Sequence, residues 1–118
     1  MIAKKTKETA WGVTVKDNSL APEIQRGDVL WIAEDREFKS GHIGVVCMHD
    51  SNTQGGFAYL ARRVFITEEG RAILKSDNPK YKDHEKAFGD GQGEIAKIHP
   101  VTGFFRIDRF FKKSLNSN

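Results

Sequence analysis

The sequence predicts an all-β domain, and three observations lead to that prediction. Short apolar runs of strand length recur along the 118 residues, and turn-forming Gly, Asn, Asp and Pro residues separate them. No segment longer than about ten residues shows helical spacing with caps. Several short strands at roughly regular spacing are typical of a barrel-like or sandwich fold. The length is that of one domain, and the eight Phe residues suit a packed core.

The elements follow in order from the first tryptophan. Trp11–Val15 alternates apolar and polar residues, which indicates a strand, and Asp17–Ser19 is a turn signal. Residues 21–25, with Pro22 at an early position, predict one short helical turn. The later strand candidates, each bounded by turn residues, are 29–33, 43–48, 57–66, 71–74 and 94–105. Residues 82–93 are polar and glycine-bearing and predict a loop, and Pro100 predicts a bulge, a bend or an edge in the last strand.

Composition excludes several classes of protein. No run approaches the roughly 18 apolar residues of a membrane-spanning helix. The N-terminus lacks the apolar region of a signal peptide, so we expect a cytoplasmic protein with no membrane partner. The single Cys47 excludes an internal disulfide framework and a multi-cysteine zinc site, and the four histidines show no close paired spacing. We therefore expect no metal and no cofactor.

The net charge of +3 is concentrated at the two ends of the chain, with three lysines among residues 1–11 and four basic residues among 104–118. Such ends are typical of solvated tails, and they are also able to contact phosphate backbones. One alternative hypothesis is therefore a small nucleic-acid-binding β-barrel. It would combine these cations with the aromatic rings of Phe104, Phe105, Phe110 and Phe111.

Ser19 is the candidate nucleophile. It follows a strand and lies on a turn, where a hydroxyl can point into a cleft and neighbouring backbone N–H groups can hold an oxyanion. A serine after Asn18 is also a common cap or turn residue. The local pattern alone leaves both interpretations open.

Five ordered segments covering residues 13–106 add a specific pattern. They are DNSLAP at 17–22 with GDVL at 27–30, SGHIGVV at 40–46, ARRV at 61–64, LKSDNPKY at 74–81, and IAKI at 95–98 before the run 101–106. Together they resemble the LexA-type self-cleaving repressor domains, in their phage repressor branch. The resemblance implies the all-β fold that this family shares with bacterial signal peptidases.

The same resemblance implies the chemistry of the site. In the family, a serine attacks a peptide bond in the linker before the domain, and a neutral lysine on the long strand is the general base. Ser19 matches the nucleophile, but Arg62 stands at the lysine position, and a guanidinium is not deprotonated in proteins. Asp17 replaces a glycine of the family pattern, and Lys16 and Lys75 lie outside the matched position. We therefore expect a peptidase-like domain that does not cleave, and an active serine–lysine autopeptidase is the alternative.

The family resemblance also predicts architecture and partners. It implies a polar lead-in at 1–12, a peptidase-like regulatory and dimerisation domain at 13–111, and a C-terminal tail at 112–118. The chain itself shows no helix-turn-helix pattern, so DNA would be contacted only through a separate domain. We expect a homodimer, because five large apolar residues stand within eight positions: Phe104, Phe105, Ile107, Phe110 and Phe111.

Overall fold

The computed structural model describes residues 10–106 and 111–114, with side chains from residue 11 to residue 106. Its strands are β1 (Ala10–Thr14), β2 (Val29–Ala33), β3 (Ile43–His49), β4 (Phe57–Ile66), β5 (Ala72–Lys75), β6 (His84–Lys86), β7 (Ile95–Arg106) and β8 (Phe111–Ser114). The described residues contain no helix, so the fold class is all-β as predicted. Within the described part of the chain, no helix has the length and apolarity needed to cross a membrane.

The strands form one curled antiparallel sheet in the order β1-β2-β7-β3-β4-β5-β6, with β8 also paired to β7. The long strand β7 joins the two parts of this sheet. Its first half pairs with β3, and its second half pairs with β2 and β8. Pro100 lies opposite Gly44 at the point where β7 leaves β3 and begins to pair with β2, where the missing proline N–H is tolerated.

Because the sheet curls, β3 is buried on both faces. Val45 belongs to a core formed mainly with the β1–β2 region, and Val46 belongs to a second core formed with β4, β5 and β7. This explains why residues 43–47 form a continuous apolar or glycine run rather than an alternating one. The first core contains Val15, Leu20, Ile24, Leu30, Ile32, Ile43, Val45, Val101 and Phe104.

The predicted helical turn at 21–25 is present as a run of turns, in which Ile24 N donates to Leu20 O at 3.2 Å. One local prediction differs from the structure. The predicted loop 82–93 contains the short strand β6. This strand has a polar sequence because its pairing with β5 is made by the backbone, and the ion pairs Arg71–Glu85 and Lys75–Asp83 join the side chains.

The candidate dimerisation residues separate into different environments. Phe104 is only 2% exposed and packs in the first core, so it is not available to a partner. Phe105 is half-buried, opposite Val29 of β2. Ile107 and Phe110, and the side chain of Phe111, lie outside the described residues.

Candidate active site

The loop between β1 and β2 carries Ser19, and it is closed at its base. Val15 N donates to Asp28 O at 2.8 Å, and Gly27 N donates to Val15 O at 2.9 Å. The Arg106 guanidinium makes two hydrogen bonds to the Asp28 carboxylate, both of 2.8 Å. These contacts fix the two ends of the loop to each other and to the end of β7.

Ser19 contacts β4 near the point where the outer edge of that strand begins to pair with β5. β3 covers one edge of β4 from Phe57 to Arg63, whereas β5 pairs with the other edge only at residues 63–66. Ser19 Oγ lies just before this junction, 3.4 Å from the carbonyl oxygen of Ala61. We expected the hydroxyl at a cleft surface, but Ser19 is 0% exposed because Arg62 and the loop residues around it cover it.

Arg62 is the main contact of the serine. Its side chain is 7% exposed, and Nη1 donates to Ser19 Oγ and to Ala61 O, both at 2.7 Å. Nη2 lies 3.3 Å from Oδ2 of Asp17. The guanidinium also lies over the ring of Tyr81, 5.8 Å from its centroid. The structure therefore brings the two sequence-predicted site residues, Ser19 and Arg62, into direct contact.

Asp17 completes a three-residue network. Its Oδ1 accepts a hydrogen bond from Ser19 N at 3.0 Å. Burial raises the pKa of Asp17, but hydrogen bonds from Ser19 and the charge of Arg62 lower it, and the net pKa lies below its usual value. The carboxylate is therefore ionised at neutral pH, opposite a guanidinium that is always charged.

Among residues 11–106, no lysine takes the place of a base in this network. Lys16 is exposed on the loop, and Lys75 makes an ion pair with Asp83 at 3.2 Å. The Ser19 hydroxyl accepts from the guanidinium of Arg62 and donates to the carbonyl of Ala61. Within the same residues, no cluster of three His, Cys, Asp or Glu side chains is placed to hold a metal ion.

Asn78 and Tyr81, in the turn after β5, hold the serine loop in place. Asn78 N donates to Ser19 O at 2.9 Å, and Asn78 Nδ2 donates to Asn18 O at 3.0 Å. The Tyr81 hydroxyl accepts from Asn18 N at 3.2 Å. The LKSDNPKY segment matches the family pattern, but its local sequence predicts no site role for these two residues. Their role depends on contacts about 60 residues apart in the chain, which local patterns do not reveal.

A groove of about 290 Å³ begins beside this network. One wall is residues 13–17, from the end of β1 into the serine loop, and the other is Tyr59, Leu60 and Ala61 on the open edge of β4. An open strand edge offers backbone N–H and C=O groups to an extended peptide. The groove therefore runs beside an open strand edge, with the buried serine at one end.

Comparison with known proteins gives one match. A family model described as Peptidase S24-like matches residues 1–97, which include the serine loop, Arg62 and the Asn78–Tyr81 turn. No curated protein and no solved structure matches the chain.

Proposed function

The chain belongs to the Peptidase S24-like family, and from this premise we propose that it is the regulatory and dimerisation domain of a phage-type transcriptional repressor whose serine site does not cleave. One observation supports the proposal that the site does not cleave. Arg62 donates a 2.7 Å hydrogen bond to Ser19 Oγ at the position where a base would have to accept the serine proton.

The direction of this hydrogen bond decides the chemistry. A serine hydroxyl is a weak nucleophile until an adjacent base removes its proton. A guanidinium has five N–H donors and no acceptor, and no accessible pH deprotonates it. Ser19 Oγ also donates to the Ala61 carbonyl, which accepts a hydrogen bond but is far too weak a base to take the proton. Ser19 is thus held in a structural role, in which its hydroxyl accepts from Arg62 and donates to Ala61 O.

The retained polar site has a mechanical role in this proposal. Ser19, Asp17 and Arg62 join the loop between β1 and β2 to the open edge of β4. Charge-assisted hydrogen bonds are roughly twice as strong as neutral ones, and the burial of Arg62 limits their screening by salt. The former catalytic position would then fix the groove wall instead of activating a nucleophile.

The outer face of the β2–β7 pair supports the dimerisation part of the proposal. Trp31 is 39% exposed on β2, and half-buried Phe105 lies opposite Val29 in the same ladder. Large half-exposed apolar side chains that share one sheet face are typical of protein contact sites. We propose that a second copy of the domain covers this face, and that a separate helix-turn-helix domain contacts DNA.

A serine-reactive probe tests the loss of cleavage chemistry. The chain is incubated with a fluorophosphonate between pH 7 and pH 10, and labelling of Ser19 is followed by mass spectrometry, with Ser19→Ala as the matched control. We expect no labelling above the control at any pH. Labelling that rises with pH and disappears in Ser19→Ala would show instead an active serine–lysine autopeptidase with a lysine base.

A further inference from the structure

A second polar cluster lies at the other end of the groove wall, around the carboxylate of Glu34. Oε2 of Glu34 accepts a 2.8 Å hydrogen bond from the indole Nε1–H of Trp11 on β1. The same oxygen lies 2.8 Å from Nδ1 of His99 on β7, and the His99 side chain is 10% exposed. One carboxylate therefore joins the first strand of the domain to a buried histidine.

The described groups around His99 come from its own strand and from β1, β3 and β4. Lys97, on the same strand, places Nζ 3.2 Å from Oε1 of Glu34 but is 57% exposed. The His99 ring meets the Trp11 ring edge-on, with centroids 5.1 Å apart, and the Tyr59 ring of β4 at 6.3 Å. Cys47 of β3 lies opposite Tyr59 in the ladder. Glu34 is the only carboxylate among these groups.

We propose that Glu34 and His99 form a pH-dependent anchor for β1. Histidine changes charge between pH 5 and pH 8, unlike other side chains at their ordinary pKa values. When His99 is protonated, the imidazolium and the Trp11 N–H both bind the same carboxylate oxygen, and the charged pair fixes its position. When His99 is neutral, Glu34 loses its buried cationic partner, and the Trp11 hydrogen bond is held less firmly.

The state of Glu34 across this range agrees with the proposal. Burial raises the pKa of Glu34, but hydrogen bonding by His99, Trp11 and Lys97 lowers it, and the net pKa lies below the usual value. The carboxylate therefore stays ionised while a histidine titrates.

The anchor has a consequence for the groove. β1 supplies the wall residues Val13 and Thr14, and it leads into the loop that carries Asp17. A β1 strand that is held more firmly at mildly acidic pH keeps this wall against β4, and a looser one lets the groove widen. This inference does not rest on the proposed function, because it holds whether or not Ser19 reacts.

The two tryptophans of the chain provide the test and its internal reference. Hydrogen exchange of both indole N–H groups is measured by ¹⁵N–¹H NMR from pH 5.5 to pH 8, with each rate corrected for intrinsic exchange. We expect Trp11 to be protected relative to exposed Trp31, and about fivefold more strongly at pH 5.5 than at pH 8, because a charged His99 would hold the ionised Glu34 acceptor in place. The His99 Cε1–H resonance should titrate with the same midpoint.

Variants separate the anchor from general folding effects. His99→Gln should keep the Trp11 protection nearly constant with pH, and Glu34→Gln, which can still accept the indole hydrogen bond, should do the same. If the wild-type protection ratio does not change with pH, or if the His99 and Trp11 midpoints differ, the proposal is wrong. These two wild-type measurements decide the question even where a variant does not fold.

Discussion

Arg62 and Ser19 are joined by a 2.7 Å hydrogen bond in which the arginine is the donor. The same guanidinium nitrogen donates to the Ala61 carbonyl, and Nη2 faces Asp17. Arg62 therefore links its own strand to both ends of the turn that carries Ser19. The geometry makes this arginine a structural link between β4 and the serine loop. Its replacement should therefore lower the free energy of unfolding.

Replacement of Arg62 by Met should destabilise the domain by about 2 kcal/mol. The substitution keeps an apolar stem but leaves the Asp17 carboxylate without its cation, and loss of one partner of a buried pair is costly. The expected cost is below that of a fully buried pair because Asp17 is 26% exposed. Urea unfolding measures the free-energy change.

Arg63→Met is the matched control for this substitution. Arg63 pairs with Asp77 in a more exposed setting, with side chains 31% and 29% exposed, so its loss should cost no more than about 1 kcal/mol. Equal losses for the two variants would mean that the Ser19–Arg62–Asp17 network contributes nothing beyond an ordinary surface pair.

Asp28→Asn should make the stability of the domain less sensitive to acid. Burial raises the pKa of Asp28, but hydrogen bonds from Arg106 and Gln25 N and the charge of Arg106 lower it, and the net pKa lies below the usual value. A lowered folded-state pKa contributes stability that is present above the unfolded value, near ~4, and is lost as pH falls through the folded pKa. The variant should be about 2 kcal/mol less stable than wild type at pH 7, and the difference should shrink below about pH 4.

Thermal unfolding between pH 3 and pH 7 measures this difference. Asp77→Asn removes a carboxylate from the more exposed pair with Arg63 and serves as the control, with an expected change of about 0–1 kcal/mol. A constant difference between wild type and Asp28→Asn across this range would contradict the linkage.

The sequence predicts the strands better than it predicts which side chains they bury. Val101 and Phe104 both face the first core although they are three residues apart, which strict alternation forbids. At the register shift between Trp31 and Ile32, Thr102 has no partner on β2. This extra residue lets Val101 and Phe104 point to the same face of the sheet. Whether Phe104 or Phe105 points inward therefore depends on a bulge, and a bulge depends on pairing with a distant strand.

The site shows the same division between local and distant information. Ordered motifs identified Ser19 and Arg62 as the residues that matter, and the structure places them in contact. The burial of Ser19 was not predictable, because it arises from a guanidinium and a turn that are both remote in the chain. Asn78 is the clearest case, since its backbone N–H and its side chain each hold a residue of the serine loop.

Gly44→Ala should destabilise the domain by about 1–3 kcal/mol, as overpacking of a filled core does. Gly44 lies in β3 between Arg62 and Pro100 of the neighbouring strands. An added Cβ would stand 2.8 Å from Ile98 Cγ2 and 2.9 Å from Phe38 Cε1, which is closer than packed carbons allow. The midpoint of urea unfolding reports the loss.

Gly91→Ala is the corresponding control for a glycine at the surface. Its added Cβ would stand 3.1 Å from Oε1 of Glu94, an atom at the end of a flexible side chain that can move. The change should stay within about 0.5 kcal/mol. A Gly44→Ala variant as stable as Gly91→Ala would show that β3 and its neighbours can separate at little cost.

Phe105→Asp should shift the domain from dimer to monomer without unfolding it, whereas Phe104→Ala should unfold it. Phe105 is half-buried on the outer face of the β2–β7 pair, and a buried unpaired carboxylate would oppose association there. Phe104 is in the core, where truncation to alanine costs about 3–5 kcal/mol. Light scattering at high micromolar concentration gives the mass. A monomeric wild type would contradict the proposed dimer.

Arg62→Lys should give Ser19 a reactivity that rises with pH, because an ammonium, unlike a guanidinium, can lose its proton and become a base. Two features of the site act on that lysine in opposite directions. Burial disfavours its charged form and lowers its pKa, whereas the adjacent Asp17 carboxylate favours the charged form and raises it. Labelling by a fluorophosphonate should therefore be slow near pH 7 and increase toward pH 10.

Adding Asp17→Gly to Arg62→Lys should move the increase to lower pH, because the carboxylate that raises the pKa of the lysine is gone. Ser19→Ala in the Arg62→Lys background should abolish labelling. If neither lysine variant is labelled at any pH while both remain folded, the loss of the base is not what keeps Ser19 inert, and its burial beneath the loop is the remaining cause.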